Sequence, residues 1–168
     1  ASRMEPTRKH LIESLSRRFP KRIADAFAQV ERRDFLPDDQ KKYAYIDAPL
    51  PIGGGQTISQ PSTIAFMLQL LDIQPGDDIL ELGSGSGYVL ALLSALAKPG
   101  HVYGVERDTS LAEQSRKPLS EYSNVSVLAR DGSQGLADHA PYDRIIISAA
   151  MQSRPDHLME QLTEHGVM

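Results

Sequence analysis

One stretch limits the possible folds more than any other: "DDILELGSGSGYVLALLSALA", residues 77–97. A short apolar run ends in three alternating glycines, and a longer apolar run follows. Short apolar runs closed by glycine read as strands buried on both faces, and longer ones free of glycine and proline read as buried helices. The alternation continues downstream. "HVYGVER" reads as a second strand, "SLAEQSRKPLSEY" as a polar helix despite Pro118, "VSVLARD" as a third strand, "YDRIIISAA" as a fourth and "RPDHLMEQLTE" as a further helix. Strands alternating with helices call for a parallel sheet covered on both faces and joined by right-handed crossovers. The expected fold is α/β, a doubly wound, mostly parallel sheet.

Upstream, two short helices are expected between residues 5 and 31, broken at Pro20, with Ile23, Ala26, Phe27 and Val30 at helical spacing in the second. "RRDFLPDDQKKYAYIDAPLP" carries few periodic signals and is interrupted by Pro37, Pro49 and Pro51, so it reads as an ordered loop or arm. "PIGGGQTISQP", residues 51–61, is written like neither a buried strand nor a helix. Pro61 suits the first turn of a helix, with Ser59 or Gln60 near its N-cap and Ile64, Met67, Leu68 and Leu71 as its apolar stripe. Residues 1–60 thus form an N-terminal helical arm with a loop, and residues 61–168 an α/β layer within one structural domain. At "HGVM" another strand begins, so the sheet's C-terminal strands are expected to be missing.

Composition narrows the function. The chain has 168 residues, 40% apolar and 24% charged, which is the balance of a globular protein with a real core. A net charge of −4 gives no bulk attraction to nucleic acid, and "RRFPKR" reads as a solvated helix face. No run approaches the ~18 apolar residues of a membrane span. The absence of cysteine excludes disulfides and thiolate chemistry and suits a cytoplasmic protein. His10, His101, His139, His157 and His165 lack metal-ligand spacing, so surface positions and no metal are expected.

Gly83, Gly85 and Gly87 fall at the turn from strand to helix, where backbone can approach a ligand and a helix N-terminus offers free N–H groups. A dinucleotide fingerprint, G-x-G-x-x-G, fails because Tyr88 stands at its last position. The spacing from Glu81, E-x-G-x-G-x-G, resembles that of S-adenosylmethionine-dependent methyltransferases. Glu106 ends the second strand 19 residues after Gly87 (106 − 87), where a carboxylate meets a ribose diol in this topology. Asp131 and Gly132 end the third strand, where a side chain can receive an adenine amino group. All these positions lie at carboxyl ends of strands, where open α/β sheets bind ligands.

The segment "DAPLPIGGGQTISQPSTIAFML", with "RRDFLP" before it and "LELGSGSGY", "VYGVER", "ARDGSQG", "YDRIIISAA" and "LMEQLTEHG" after it, resembles the protein-L-isoaspartate O-methyltransferase family from about residue 23 onward. The resemblance implies a Rossmann-like methyltransferase fold that binds S-adenosyl-L-methionine and releases S-adenosyl-L-homocysteine. Its acceptor would be the free carboxylate of L-isoaspartyl and D-aspartyl residues in damaged proteins, whose esters collapse to succinimides and so begin repair. It further implies that Ser59 is the active-site serine and that Gly55, Gln56, Thr57 and Ile58 meet the substrate. Gln60, Glu81, Gly83, Ser84, Gly85, Gly87, Glu106, Asp131 and Gly132 would hold the donor. Two alternatives stay open: a donor-binding module without activity, and a methyltransferase for another carboxylate. Family chains extend further, and part of their C-terminal region borders the pockets.

Overall fold

Pro20 lacks the N–H that would continue a helix, and it separates α1 (Arg8–Arg18) from α2 (Lys21–Gln29) in the computed structural model, which describes residues 6–168. Thr7 caps α1 by accepting from His10 N, and α2 buries the expected stripe of Ile23, Ala26 and Phe27. The arm that follows holds two short 3₁₀ turns, Arg32–Phe35 and Asp38–Tyr43.

The glycine run corrects the sequence reading. β1 (Leu50–Gly53) and β2 (Gln56–Ile58) pair as an antiparallel hairpin, with a register shift between Pro51 and Gly53. Gly54 and Gly55 form its turn at φ +61° and +70°. Two-residue hairpin turns that match strand twist need positive φ at both central positions, which glycine adopts without steric cost. Leu50 and Ile52 face the core while Pro51 and Gly53 face out, an alternation that proline and glycine hide in the sequence.

α3 (Pro61–Leu71) then buries Ile64, Leu68 and Leu71. The α/β layer follows as β3 (Ile79–Leu82), α4 (Tyr88–Ala97), β4 (Val102–Glu106), α5 (Thr109–Leu119), β5 (Val125–Ala129), β6 (Tyr142–Ile147) and β7 (Leu162–Val167). The sheet order is β5-β4-β3-β6-β7, with every neighbouring pair parallel. Eight of the ten residues of α4 are buried, because it is wedged between the sheet and α2. Gly104 in β4 leaves room for this: an added Cβ would come within 2.5 Å of Leu90 Cδ1. α1, α2, the hairpin, α3 and α4 share one apolar cluster, so the platform beneath the glycine turn is fixed from several sides.

The last segment differs from expectation. The helix expected over "RPDHLMEQLTE" is only a 3₁₀ turn, Asp156–Gln161, and its last three residues, "LTE", join "HGV" in β7. Of the apolar residues behind that reading, Leu158 is buried but Met159 is 55% exposed. β6 offers its open edge to this segment, and pairing Tyr142 with Leu162 and Arg144 with Val167 satisfies backbone groups on both strands. The strand expected to begin at "HGVM" is present and starts earlier, at Leu162. Among the described residues, no helix is long and apolar enough to cross a membrane.

Candidate active site

After Leu82 the chain folds back over β4: Gly83 N and Ser84 N both donate to Val105 O, at 2.8 and 3.2 Å. Gly87 N then donates to Ser84 O (2.9 Å), and α4 begins. Glu106, 3% exposed, lies under this turn. Its Oε1 accepts from Gly85 N (2.9 Å) and its Oε2 from Asp108 N (2.7 Å). A carboxylate offers about four acceptor positions. Two are used here, which leaves capacity on both oxygens for a pair of vicinal hydroxyls.

Glu81 is the second acid beneath the turn and is 1% exposed. Ser148 Oγ donates to its Oε2 at 2.7 Å, while its Oε1 and the Ser84 Oγ have no hydrogen-bond partner among the described residues. Burial pushes its pKa up to about 8, against the Ser148 hydrogen bond, and the neighbouring Glu106 adds to the rise. The sign for folding follows from linkage. The folded protein keeps this proton up to about pH 8, while the unfolded chain loses it near 4.5, so the favourable contribution present below 4.5 fades as pH rises toward 8. Thermal melts from pH 5 to 9 should therefore show Glu81→Gln gaining on wild type through that window and levelling off above it. A constant gap would contradict the assignment.

At the end of β5, an added Cβ on Gly132 would lie 3.1 Å from Leu82 Cδ2 and 3.2 Å from Val105 Cγ1, so this glycine borders the ends of β3 and β4. Asp131 is exposed, and its Oδ1 accepts from Ser133 N (2.9 Å), which holds its carboxyl below the usual range. Gly87 stands at the expected turn, as the N-cap residue of α4. An added Cβ there would meet Leu119 Cδ1 at 2.7 Å and Ser115 Cβ at 3.1 Å, so its missing side chain serves the packing of α4 on α5.

The hairpin closes over the glycine turn. Ile52 Cδ1 would be 3.3 Å and Gln56 Oε1 3.9 Å from a Cβ on Gly85, and at the tip a Cβ on Gly54 would be 2.7 Å from Asp108 Oδ2. Between hairpin and α5 lies a cavity of about 130 Å³ bordered by Phe35, Ile52, Ser86 and Leu111. It is smaller than the ~300 Å³ at which ligand pockets begin, and too small for a nucleoside. Gly55 and Thr57 are exposed, and Gln56 is half-buried. The Ile58 side chain, expected near the substrate, is instead in the core at 4% exposure.

Ser59 is exposed, and of the two residues expected near the N-cap of α3 it is Gln60 that holds the position. Gln60 holds the cap position of α3 without a capping bond, and Asp47 Oδ1 accepts from Ser62 N (2.8 Å) in its place. Burial alone would raise the Asp47 pKa, but hydrogen bonds from Ser62 and Gln60, with Arg18 nearby, hold it below the usual range. The Ser59 hydroxyl is thus left uncommitted while its carbonyl is pinned. Arg32, 2% exposed, donates through Nη1 to Ser59 O and through Nη2 to Ala48 O, both at 3.2 Å. Its guanidinium lies 5.2 Å over the Tyr88 ring, at the first residue of α4. Arg32, Asp47 and Ser148 were not singled out from the sequence. The only signal for Arg32 was its place in "RRDFLP", where Arg33 is its indistinguishable neighbour. Of the histidines, His101 is half-buried against Tyr103 at 4.5 Å rather than on the surface.

The model of the Protein-L-isoaspartate(D-aspartate) O-methyltransferase (PCMT) family matches residues 6–168. The chain is 44% identical over 98% of its length to a protein-L-isoaspartate O-methyltransferase of Ignicoccus hospitalis, covering 81% of that protein. It is 49% identical over 88% of its length to one of Aeropyrum pernix, covering 58% of it. Among solved structures, a protein-L-isoaspartate O-methyltransferase superposes with a TM-score of 0.88 at 29% identity, over 96% of this chain and 54% of that one. A Plasmodium falciparum beta-aspartate methyltransferase (PCMT) in complex with S-adenosyl-L-homocysteine gives 0.83 at 26% identity, over 97% and 83%. The chain belongs to the protein-L-isoaspartate(D-aspartate) O-methyltransferase family.

Proposed function

We propose that this protein transfers the methyl group of S-adenosyl-L-methionine to the free carboxylate of L-isoaspartyl and D-aspartyl residues in damaged proteins, in the cytoplasm and without a role on nucleic acid. The observation that carries this reading is Glu106. It is buried beneath the turn of residues 83–87, holds Gly85 and Asp108, and keeps one acceptor position per oxygen for the donor's ribose. The residues fit the donor. In this reading Gly83, Ser84 and Gly85 bring backbone close to the donor, Asp131 and Gly132 meet its adenine, and Glu81 supplies a second buried acid beneath the turn. When bound, the donor supplies an electrophilic methyl on sulfur.

The protein's part is placement. A carboxylate acceptor is already ionised near pH 7 and needs no general base. In-line displacement then gains mainly from proximity and orientation. The uncommitted Ser59 hydroxyl donates to one acceptor oxygen and aims the other, and a neutral donor does so without blunting the nucleophile as lysine would. Gly55, Gln56 and Thr57 line the approach, and Gln60 follows at the start of α3.

Labelled donor offered to an isoaspartyl peptide and to its aspartyl isomer tests the reading, and label should enter only the first. Equal labelling would remove the repair assignment, and donor binding with no transfer to either peptide would leave a donor-binding module. A hydrogen bond to a charged group contributes about 1.5–3 kcal/mol, so Ser59→Ala should lower turnover about 10- to 100-fold. Donor affinity should stay within about twofold, because Ser59 makes no bond to the glycine turn. Steady-state kinetics beside calorimetry checks both, and an unchanged rate would exclude Ser59 from the chemistry.

A further inference from the structure

Two acids share one buried site beneath residues 83–85. Glu81 pairs in register with Gly104, and Glu106 lies two residues beyond Gly104, so both side chains project from the same face of the sheet. That face is capped by Ser84, whose Cβ would lie 3.1 Å from a Cβ on Gly104, and by Gly85, held on Glu106. The groups engaging the two carboxyls are neutral: Gly85 N and Asp108 N on Glu106, Ser148 Oγ on Glu81. Arg107, which follows Glu106 at the end of β4, is exposed and lies near Asp131. β6 contributes Ser148, and α4 contributes Leu90. The Tyr88 hydroxyl is turned to Arg32, the hairpin contributes neutral Gln56, and Asp108 caps α5 through Leu111 N. Two carboxyls in one buried site resist joint ionisation, and a cation between them removes that resistance. Glu106 has both oxygens on backbone N–H groups. Glu81, with Oε1 unpartnered, is the one left to carry the proton.

We infer that Glu81 reads the charge of the bound nucleoside: it holds a proton before donor binding, releases it as a sulfonium ligand enters, and recovers one after methyl transfer. The inference rests on the proposed donor site. The balance is simple. On binding, the Glu81 O–H bond breaks and its proton goes to solvent. On transfer, the S–CH₃ bond breaks, its electron pair stays on sulfur, and the acceptor oxygen forms the O–CH₃ bond. Sulfur is then a neutral thioether, and Glu81 draws one proton from water. The raised Glu81 pKa places this exchange within the neutral range. The device thereby ranks donor above product as pH rises.

Calorimetry in two buffers of different ionisation enthalpy counts the protons. At pH 7, wild type should release close to one proton with S-adenosyl-L-methionine and clearly fewer with S-adenosyl-L-homocysteine. The donor-to-product affinity ratio should rise by up to about tenfold per pH unit between about pH 6 and 8. In Glu81→Gln the two ligands should release equal numbers, since the amino group they share titrates alike, and the ratio should be flat. Equal release by the two ligands in wild type overturns the inference while leaving the donor site standing. Binding of neither ligand overturns the donor site and the inference together. The wild-type comparison decides the question even if the variant fails to fold.

Discussion

Replacing Arg32 with alanine is expected to cost about 2–4 kcal/mol of stability and to remove most isoaspartyl methylation from the fraction that still folds. The variant leaves Ser59 O and Ala48 O without their donors, at about 1–3 kcal/mol for each carbonyl that stays dry. It also removes a cation over the Tyr88 ring, an interaction of about 2 kcal/mol when desolvated. Relief from burying a charge offsets part of this, which keeps the net below the simple sum. The effect on methylation has a separate cause. Arg32 ties the segment carrying Ser59 to the first residue of α4, which begins where the glycine turn ends. Lysine keeps the charge but cannot reach two carbonyls in a fixed fork. Arg32→Lys should therefore recover much of the lost stability while turnover stays about tenfold or more below wild type and donor affinity is nearly unchanged. Chemical denaturation, donor calorimetry and peptide kinetics on the two variants separate these effects. Full turnover in Arg32→Lys would reduce Arg32 to a packing residue.

What could be read in advance is explained by the range of the forces involved. β3 and α4 were legible because both are apolar on nearly every side, and a strand or helix buried all round needs no partner to be recognised. The glycine turn and Glu106 were legible because their spacing along the chain is also their spacing in the fold: Gly85 N sits on Glu106 Oε1 across one crossover. The features missed depend on something distant in sequence. Gln60 holds the cap position of α3 as local rules allow, but the bond to Ser62 N comes from Asp47, fifteen positions before it, which they cannot see. The hairpin was hidden because Pro51 and Gly53 occupy its outward positions and erase the period-two signal. β7 starts at Leu162, inside the expected helix, because β6 has an edge to pair with, which no propensity in "LTE" announces. Arg32 differs from Arg33 only in meeting two carbonyls and a ring brought there by folding.

The net charge of −4 is silent about the same kind of detail. Two of the acids counted in it lie under the glycine turn. One is fixed by backbone N–H groups, and the other is raised in pKa by burial. A formal charge therefore overstates the negative potential that a donor meets near neutral pH and misses its dependence on pH.

Gly83→Ala should be the most damaging change in the glycine turn, with about 2–5 kcal/mol of stability lost and donor binding abolished in any folded remainder. Gly83 sits at φ +82°, a region that costs an L-residue about 1–2 kcal/mol. A Cβ would also stand 2.5 Å from Ala149 Cβ and 2.8 Å from Ala149 N. Neither side can yield cheaply. Gly83 N and Ser84 N are both bound to Val105 O, and on the other side Ser148 N is bound to Leu82 O. Overpacking against fixed backbone adds about 1–3 kcal/mol, and the total approaches the whole stability of a small domain. Gly85→Ala is the informative control. Its φ of +52° carries a similar backbone cost, but its Cβ would be 3.3 Å from Ile52 Cδ1, the far end of a side chain that can rotate away, so the overpacking cost falls away. That variant should fold and lose donor affinity without global unfolding. Circular dichroism melts and donor calorimetry on the pair distinguish them. If Gly83→Ala melted with wild type, Ala149 and the end of β6 would have to be free to move, and the rigid rim on which donor placement depends would be wrong.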